Sequence, residues 1–175
     1  MQKHRYLGRT ELALSEAQKE ICQTSARFRV AVTGRRFGKT HIAMRELARF
    51  AAAKNNQLVW YVAPSYRMAK NIVWDQLKGK LKDLNWVEAT NEAELMLRLK
   101  NGSKIYLKGA DSPDSLRGVG LNFLILDEFQ DIDPKTWTEV LRPTLSDKKG
   151  HALFTGTPRG VGSWSHDMYS MALAT

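Results

Sequence analysis

Two short stretches hold residue types that together can do phosphate chemistry: residues 34–40 read GRRFGKT and residues 123–128 read FLILDE. In the first, a glycine-bearing loop (Gly34, Arg35, Arg36, Phe37, Gly38) can turn its backbone N–H groups toward phosphate oxygens. Lys39 can reach the β- and γ-phosphates, and the Thr40 hydroxyl can take a position on Mg²⁺. In the second, two acids follow an apolar run and suit different work. Asp127 can hold Mg²⁺ directly or through water, and Glu128 can orient and polarise the water that attacks the γ-phosphorus. An isolated Asp-Glu pair at a strand end is ordinarily a turn or cap. Beside a phosphate loop, it reads as nucleoside triphosphate hydrolysis with Mg²⁺. The loop departs from G-x-x-x-x-G-K-T in one place: the first glycine would fall on Thr33, and Gly34 comes one residue late. Arg35 and Arg36 either bring positive charge to the triphosphate or form a solvated loop face, and the sequence leaves both open.

The elements around these stretches are those the chemistry needs. Short, nearly continuous apolar runs recur at Phe28 to Thr33, Leu58 to Ala63, Phe123 to Leu126 and Ala152 to Thr155, as expected of strands covered on both faces. Helical segments fall between them, at Lys39 to Ala53, Tyr66 to Leu84 and Pro134 to Leu145, with Pro134 suited to open its helix. The alternation predicts an α/β fold with a mainly parallel sheet. The phosphate loop then joins a strand to a helix, and the two acids sit at a carboxyl end of the sheet, where open α/β sheets bind ligands. Glu94 to Leu107 differs: ELMLRL and KIYLK flank Asn101-Gly102, the signature of a hairpin, so an antiparallel addition is expected. The run ALFTGTP (152–158) should lie beside the phosphate-loop strand. Thr155 or Thr157 could then sense the γ-phosphate, unless the segment is a plain Gly-Pro turn. Ser165 to Ala174 predicts a last helix.

Composition narrows the partners. With 43% hydrophobic residues in 175, the chain suits one domain that buries enough surface, about 68–70%, to need no disulfide or structural metal. The single cysteine, Cys22, excludes an intrachain disulfide framework and fits a reducing compartment. The N-terminal MQKHRYLGRT has no apolar run behind it, and no stretch approaches the ~18 apolar residues of a membrane span. Lysine and arginine exceed aspartate and glutamate by 27 − 18 = 9, and such a surface favours polyanions. Candidate DNA contacts are the hairpin cations Arg98, Lys100, Lys104 and Lys108 and the run Lys78, Lys80, Lys82, although both also read as solvated faces. His4, His41, His151 and His166 show no metal-ligand spacing, and Trp74, Trp86 and Trp137 occupy core-like positions.

Taken in order, GRRFGKT, YVAPSYRMAK (61–70), KGADSPDSLRG (108–118), FLILDE and TGTP (155–158) resemble the N-terminal ATPase domain of phage large terminase subunits, the motors that package DNA. The resemblance implies a P-loop NTPase of the RecA/ASCE type, a three-layer sandwich, with ATP and Mg²⁺ as cofactors. Lys39 and Thr40 would bind phosphate and metal, Asp127 would serve the metal, and Glu128 would be the catalytic carboxylate. Arg117, in SLRG, resembles the arginine finger that a neighbouring subunit inserts, where the plainer reading is a surface salt bridge. Gln18 lies where related motors contact adenine, although Ser15, Glu16 and Gln18 also read as a helix start. TGTP resembles the family's coupling motif. The partners implied are double-stranded DNA, a homo-oligomeric ring (a pentamer), the portal protein and the small terminase subunit, in the host cytoplasm and without a membrane. The family's nuclease domain finds no counterpart, so the chain reads as a single isolated motor domain, 1–175, without nuclease activity. Two other classes stay open: a helicase motor, because DEFQD (127–131) resembles the superfamily 1 acidic motif, and a DNA-binding module that holds nucleotide without hydrolysing it.

Overall fold

The computed structural model describes residues 14–174; the basic N-terminal stretch with His4 lies outside them. Among the described residues, seven strands form one sheet. In chain order they are β1 (Phe28–Val32), β2 (Leu58–Ala63), β3 (Val87–Asn91), β4 (Met96–Leu99), β5 (Lys104–Gly109), β6 (Phe123–Asp127) and β7 (His151–Gly156). Their spatial order is β1-β7-β6-β2-β5-β4-β3. The first five of that order run parallel, and β4 and β3 add antiparallel at the edge, with Asn101 and Gly102 in the β4–β5 turn. The expected alternation and hairpin are therefore present, and β7 lies beside β1.

The helices are α1 (Glu16–Gln23), α2 (Lys39–Ala53), α3 (66–83), α4 (134–144) and α5 (Trp164–Leu173). Period-two alternation splits each central strand between two cores. Val59, Tyr61, Phe123, Ile125 and Leu153 pack on the side of α2 and α3, with Ile42, Leu47, Val73, Trp74 and Leu77. Trp60, Val62, Leu124, Leu126 and Phe154 pack on the other side, with Trp137, Val140 and Leu141 of α4. The result is three layers. Trp74 and Trp137 are core residues, and Trp86 packs partly buried against the first cluster.

Two features depart from the expectation. Strand β3, VEATN, shows little apolar patterning, because it is an edge strand paired only to β4 and kept in place by that pairing. Helices α3 and α4 each widen into a π-turn, at Lys70–Trp74 and Thr136–Leu141. The second lies just ahead of Pro143, which has no N–H to give to the Glu139 carbonyl.

One charge is wholly internal. Glu46, on α2 and 0% exposed, meets Arg29 of β1 at 2.6 Å and accepts two bonds from Arg49 at 2.8 Å. Arg29 in turn donates to the Ile21 carbonyl of α1 at 3.0 Å. The half-buried Cys22 thiol stands beside this cluster, and burial, with the Glu46 charge, pushes it up to about 12.

Replacing Glu46 with alanine leaves the Arg29 guanidinium buried without its counter-charge, so a loss of about 3–5 kcal/mol is expected in denaturant unfolding. Burial pushes the Glu46 carboxyl up, but the Arg49 hydrogen bonds and the Arg29 charge outweigh it and hold the group below its ordinary 4.5. Its contribution is therefore complete above pH 4.5 and fades as acid takes the pH down through the lowered value. The gap between wild type and Glu46→Ala should be flat near neutrality and narrow in acid. Equal stability of the two at neutral pH would refute the pairing.

Candidate functional site

The site is built from three loops at the carboxyl ends of β1, β6 and β7. Strand β1 is continued by a bond from Thr33 N–H to the Gly156 carbonyl, 3.0 Å. The chain then turns through left-handed backbone at Arg36 (φ 67°) and Gly38 (φ 87°) before α2 begins at Lys39. A Cβ on Gly38 would stand 2.5 Å from Gln18 Nε2, so both conformation and space there favour glycine. Among the described residues no side chain caps the first turn of α2, which leaves its N–H groups to an anion.

A cavity of about 600 Å³ opens between this loop and the two others. Arg35, Arg36, Gly38, Lys39 and Thr40 line one wall; Glu128, Gln130, Thr157, Pro158 and Arg159 line the other. Four cationic side chains against Glu128 make its character that of a polyphosphate receptor. Lys39 Nζ stands 3.4 Å from the Gly34 carbonyl and 3.5 Å from that of Thr33. Glu128 adopts left-handed backbone (φ 47°), a strained state for a non-glycine residue that lifts its side chain off the end of β6.

Asp127 lies beneath. It is 4% exposed and points to the α2 face of the sheet. The Tyr61 hydroxyl donates to Oδ2; the Thr155 hydroxyl (2.6 Å) and the Glu128 N–H (2.9 Å) donate to Oδ1. Burial raises the Asp127 carboxyl and outweighs what these three donors lower.

Of the residues singled out by sequence, Arg35, Arg36, Gly38, Lys39, Thr40 and Glu128 meet around the cavity. Gly34 contributes its carbonyl to Lys39, and the Phe37 side chain packs against the core. Thr155, 0% exposed and with its hydroxyl given to Asp127, does not line the cavity. Thr157, two residues on, does. Gln18 takes its place at the helix start: its amide closes a capping box with Ser15 and also donates to the Phe37 carbonyl at 2.8 Å, bracing the phosphate loop. Arg117 lies away from the cavity lining, on the surface, 3.5 Å from Asp114. Several candidate DNA-contacting cations have protein partners: Lys78 with Glu92, Arg98 with Glu88, and Lys108 over the Trp60 and Tyr106 rings. Tyr61, Gln130 and Arg159 went unread. Tyr61 was hidden in an apolar run, whereas Gln130 stood in plain sight within DEFQD. Among the described residues, no group of three or more His, Cys, Asp or Glu could hold a metal, and no helix is long and apolar enough to cross a membrane.

Comparison with known proteins follows the same outline. The sequence profile of the terminase large subunit, T4likevirus-type, N-terminal, matches residues 30–175. The chain belongs to the large terminase family. It is 32% identical over 173 residues to the large terminase subunit of Thermus phage G20c, covering 88% of this chain and 35% of that protein. With that of Escherichia phage T5 it shares 37% over 147 residues, covering 82% and 33%. The chain thus spans about a third of the length of these relatives. The large terminase ATPase domain of Thermus phage P74-26 superimposes with a TM-score of 0.84 at 31% identity, over 98% of this chain and 74% of that one. A large terminase from a thermophilic bacteriophage shares the fold at 18% identity and a TM-score of 0.79, over 91% of this chain and 43% of that one. The fold is that of a large terminase ATPase domain, and the family resemblance read from the motifs holds.

The placement of Thr155 has a measurable consequence. Thr155→Val removes a donor from a buried carboxylate and should cost about 1–3 kcal/mol of stability while leaving the affinity for a non-hydrolysable ATP analogue, measured without Mg²⁺, intact. Calorimetric titration beside denaturant unfolding checks both. A fall in affinity with unchanged stability would return Thr155 to the nucleotide.

Proposed function

We propose that this domain hydrolyses ATP with Mg²⁺ and that the hydrolysis drives double-stranded DNA into a procapsid. The observation that carries the reading is the cavity itself, where Lys39 and Thr40 at an uncapped helix start face Glu128 across a space of nucleotide size. The large terminase of the thermophilic bacteriophage has been solved with ADP and with ATP-γ-S, which supports an adenine nucleotide as the ligand. The α2 N-terminus and Lys39 hold the β- and γ-phosphates, and Arg35, Arg36 and Arg159 surround them with positive charge. Glu128 accepts a hydrogen bond from the attacking water and aligns it with the γ-phosphorus.

The donor set fits Mg²⁺ as nucleotide enzymes hold it. This ion takes one or two protein oxygens, substrate phosphates and water, not an all-protein cage. Thr40 supplies a hydroxyl at the cavity wall, and Asp127 lies on the α2 face below, where Oδ2, with a single donor, keeps acceptor capacity for a bridging water. Bound there, the metal would neutralise phosphate charge.

Arg117 acts in a neighbouring subunit, within a homo-oligomeric ring, here taken as a pentamer, seated on a portal protein and fed by a small terminase subunit. Hydrolysis then depends on assembly. The setting is the cytoplasm of the infected host.

Glu128→Gln should lower turnover about 10²- to 10⁴-fold while analogue binding survives, and chelating Mg²⁺ should abolish turnover in the wild type. Phosphate release measured at high protein concentration checks this. Wild-type rates in Glu128→Gln would end the assignment. Mixing Arg117→Ala with Lys39→Ala chains should restore part of the activity that each lacks alone, since the intact finger of one can enter the intact site of the other. If no mixing ratio does so while wild type turns over, Arg117 is not a trans residue.

A further inference from the structure

The loops after β6 and β7 are joined side chain to backbone. Gln130 Nε2 donates to Glu128 Oε2, and Gln130 Oε1 accepts the Thr157 N–H at 3.3 Å. The Thr157 hydroxyl donates to the same Glu128 oxygen at 3.3 Å. One step outward, Arg159 Nη2 holds both oxygens of Asp131, at 2.8 and 3.0 Å. Gly156 lies under the amide: a Cβ there would stand 2.5 Å from Gln130 Oε1 and 3.0 Å from the Phe129 ring, so Gln130 occupies room that only a glycine leaves.

We propose that Gln130 is the positioning residue for Glu128, fixing its carboxylate for attack on the γ-phosphorus and tying that carboxylate to the turn at Thr157. The inference rests on the hydrolysis reading above. Both side-chain donors fall on Oε2, so Oε1 keeps its acceptor capacity for the water. A glutamate on left-handed backbone has three rotatable side-chain bonds with which to turn away from the cavity, and these hydrogen bonds remove that freedom before nucleotide binds. The same amide makes the carboxylate and the Thr157 backbone move as one body. A change at the terminal phosphate therefore reaches the segment after β7 through Gln130.

Three variants separate the parts. Gln130→Met keeps the length of the side chain and deletes both bonds. Gln130→Glu keeps the acceptor for Thr157 N–H and sets a second carboxylate against Glu128. Gly156→Ala leaves Gln130 in the sequence and takes its space. Each should lower kcat by about 10- to 100-fold, the rate equivalent of a lost hydrogen bond to a charged group. KM and the affinity for a non-hydrolysable ATP analogue should stay within about twofold, a split that a merely structural role would not give. Amide exchange at Thr157 should quicken in Gln130→Met and stay slow in Gln130→Glu. Wild-type kcat in Gln130→Met, or analogue affinity falling in step with the rate, would overturn the proposal. So would Thr157 exchange that ignores Gln130→Met. If wild type itself releases no phosphate, the hydrolysis reading fails, and the exchange comparison alone still decides whether Gln130 holds the turn.

Discussion

The buried carboxylate of Asp127 is the constraint on which the rest of the site depends. It ends β6 at 4% exposure and must be hydrogen-bonded on both oxygens to be tolerated there. Its side-chain donors come from the two strands that flank β6: Tyr61 from β2 and Thr155 from β7. Parallel pairing sets Asp127 opposite Thr155 and Thr155 opposite Ala31 of β1. One polar cluster thus fixes the level at which neighbouring strands stop, and a common stopping level is what lets loops from three strands face one cavity. Glu128 inherits its place from this. With Asp127 held below and the Glu128 N–H bonded back to it, the chain has to turn sharply, and the left-handed backbone at Glu128 is that turn.

A second set of contacts fixes the opposite wall. The phosphate loop spans only residues 34–38, and both of its ends are pinned. Thr33 is bonded to Gly156 in the sheet, and the buried Arg29–Glu46 pair binds β1 to α2 behind the loop. Gln18 then holds the Phe37 carbonyl from outside. A loop so bounded is held mainly from outside the cavity, so the long Lys39 bonds to the Thr33 and Gly34 carbonyls can be given up to a ligand without releasing it. The charge distribution follows the same division. Glu46, deep in α2, is neutralised by arginines, whereas the N-terminal turn of that helix, with no acid and no cap, presents uncompensated positive potential.

How far this could be read from sequence differs by residue for physical reasons. The strands FRVAVT, LVWYVA, FLIL and ALFT were legible because burial on both faces leaves a continuous apolar run, and β7 fell beside β1 as expected. VEATN was not, because an edge strand is specified by its neighbour's hydrogen bonds more than by its own side chains. Within the site, the order strand, glycine loop, Lys-Thr, helix was enough to bring Lys39 and Thr40 to a cavity with Glu128. The choice between Thr155 and Thr157 was not available from ALFTGTP alone. It depends on which threonine lies within the paired part of β7, and the register with Asp127 decides that. Tyr61 carried no signal at all: an aromatic inside an apolar strand looks like core. Its hydroxyl matters only because Tyr61 pairs with Ile125, which sets Asp127 two positions further along the neighbouring strand. Gln130 did carry a signal, two residues past the acids, but its role required knowing that the β7 turn would lie against it.

Arg117 poses the remaining question of energy. Its contact with Asp114 is 3.5 Å long with both groups solvated, a pairing that adds almost nothing to stability. Leu116 before it is fully buried, but the following Gly118 has φ 77° with nothing within 4 Å of where a Cβ would stand, and the Arg117 side chain itself is 55% exposed. A long side chain so weakly tied within its own chain has little to lose by finding another partner. In the proposed trans role, by contrast, a guanidinium set against the transferring phosphoryl group is worth about 10³ to 10⁵ in turnover. That imbalance favours a role between subunits over a role in the fold. The proposed role would also tie hydrolysis to assembly: Arg35, Arg36, Lys39 and Arg159 line the cavity from within one chain, and none of them reports whether a neighbour is present.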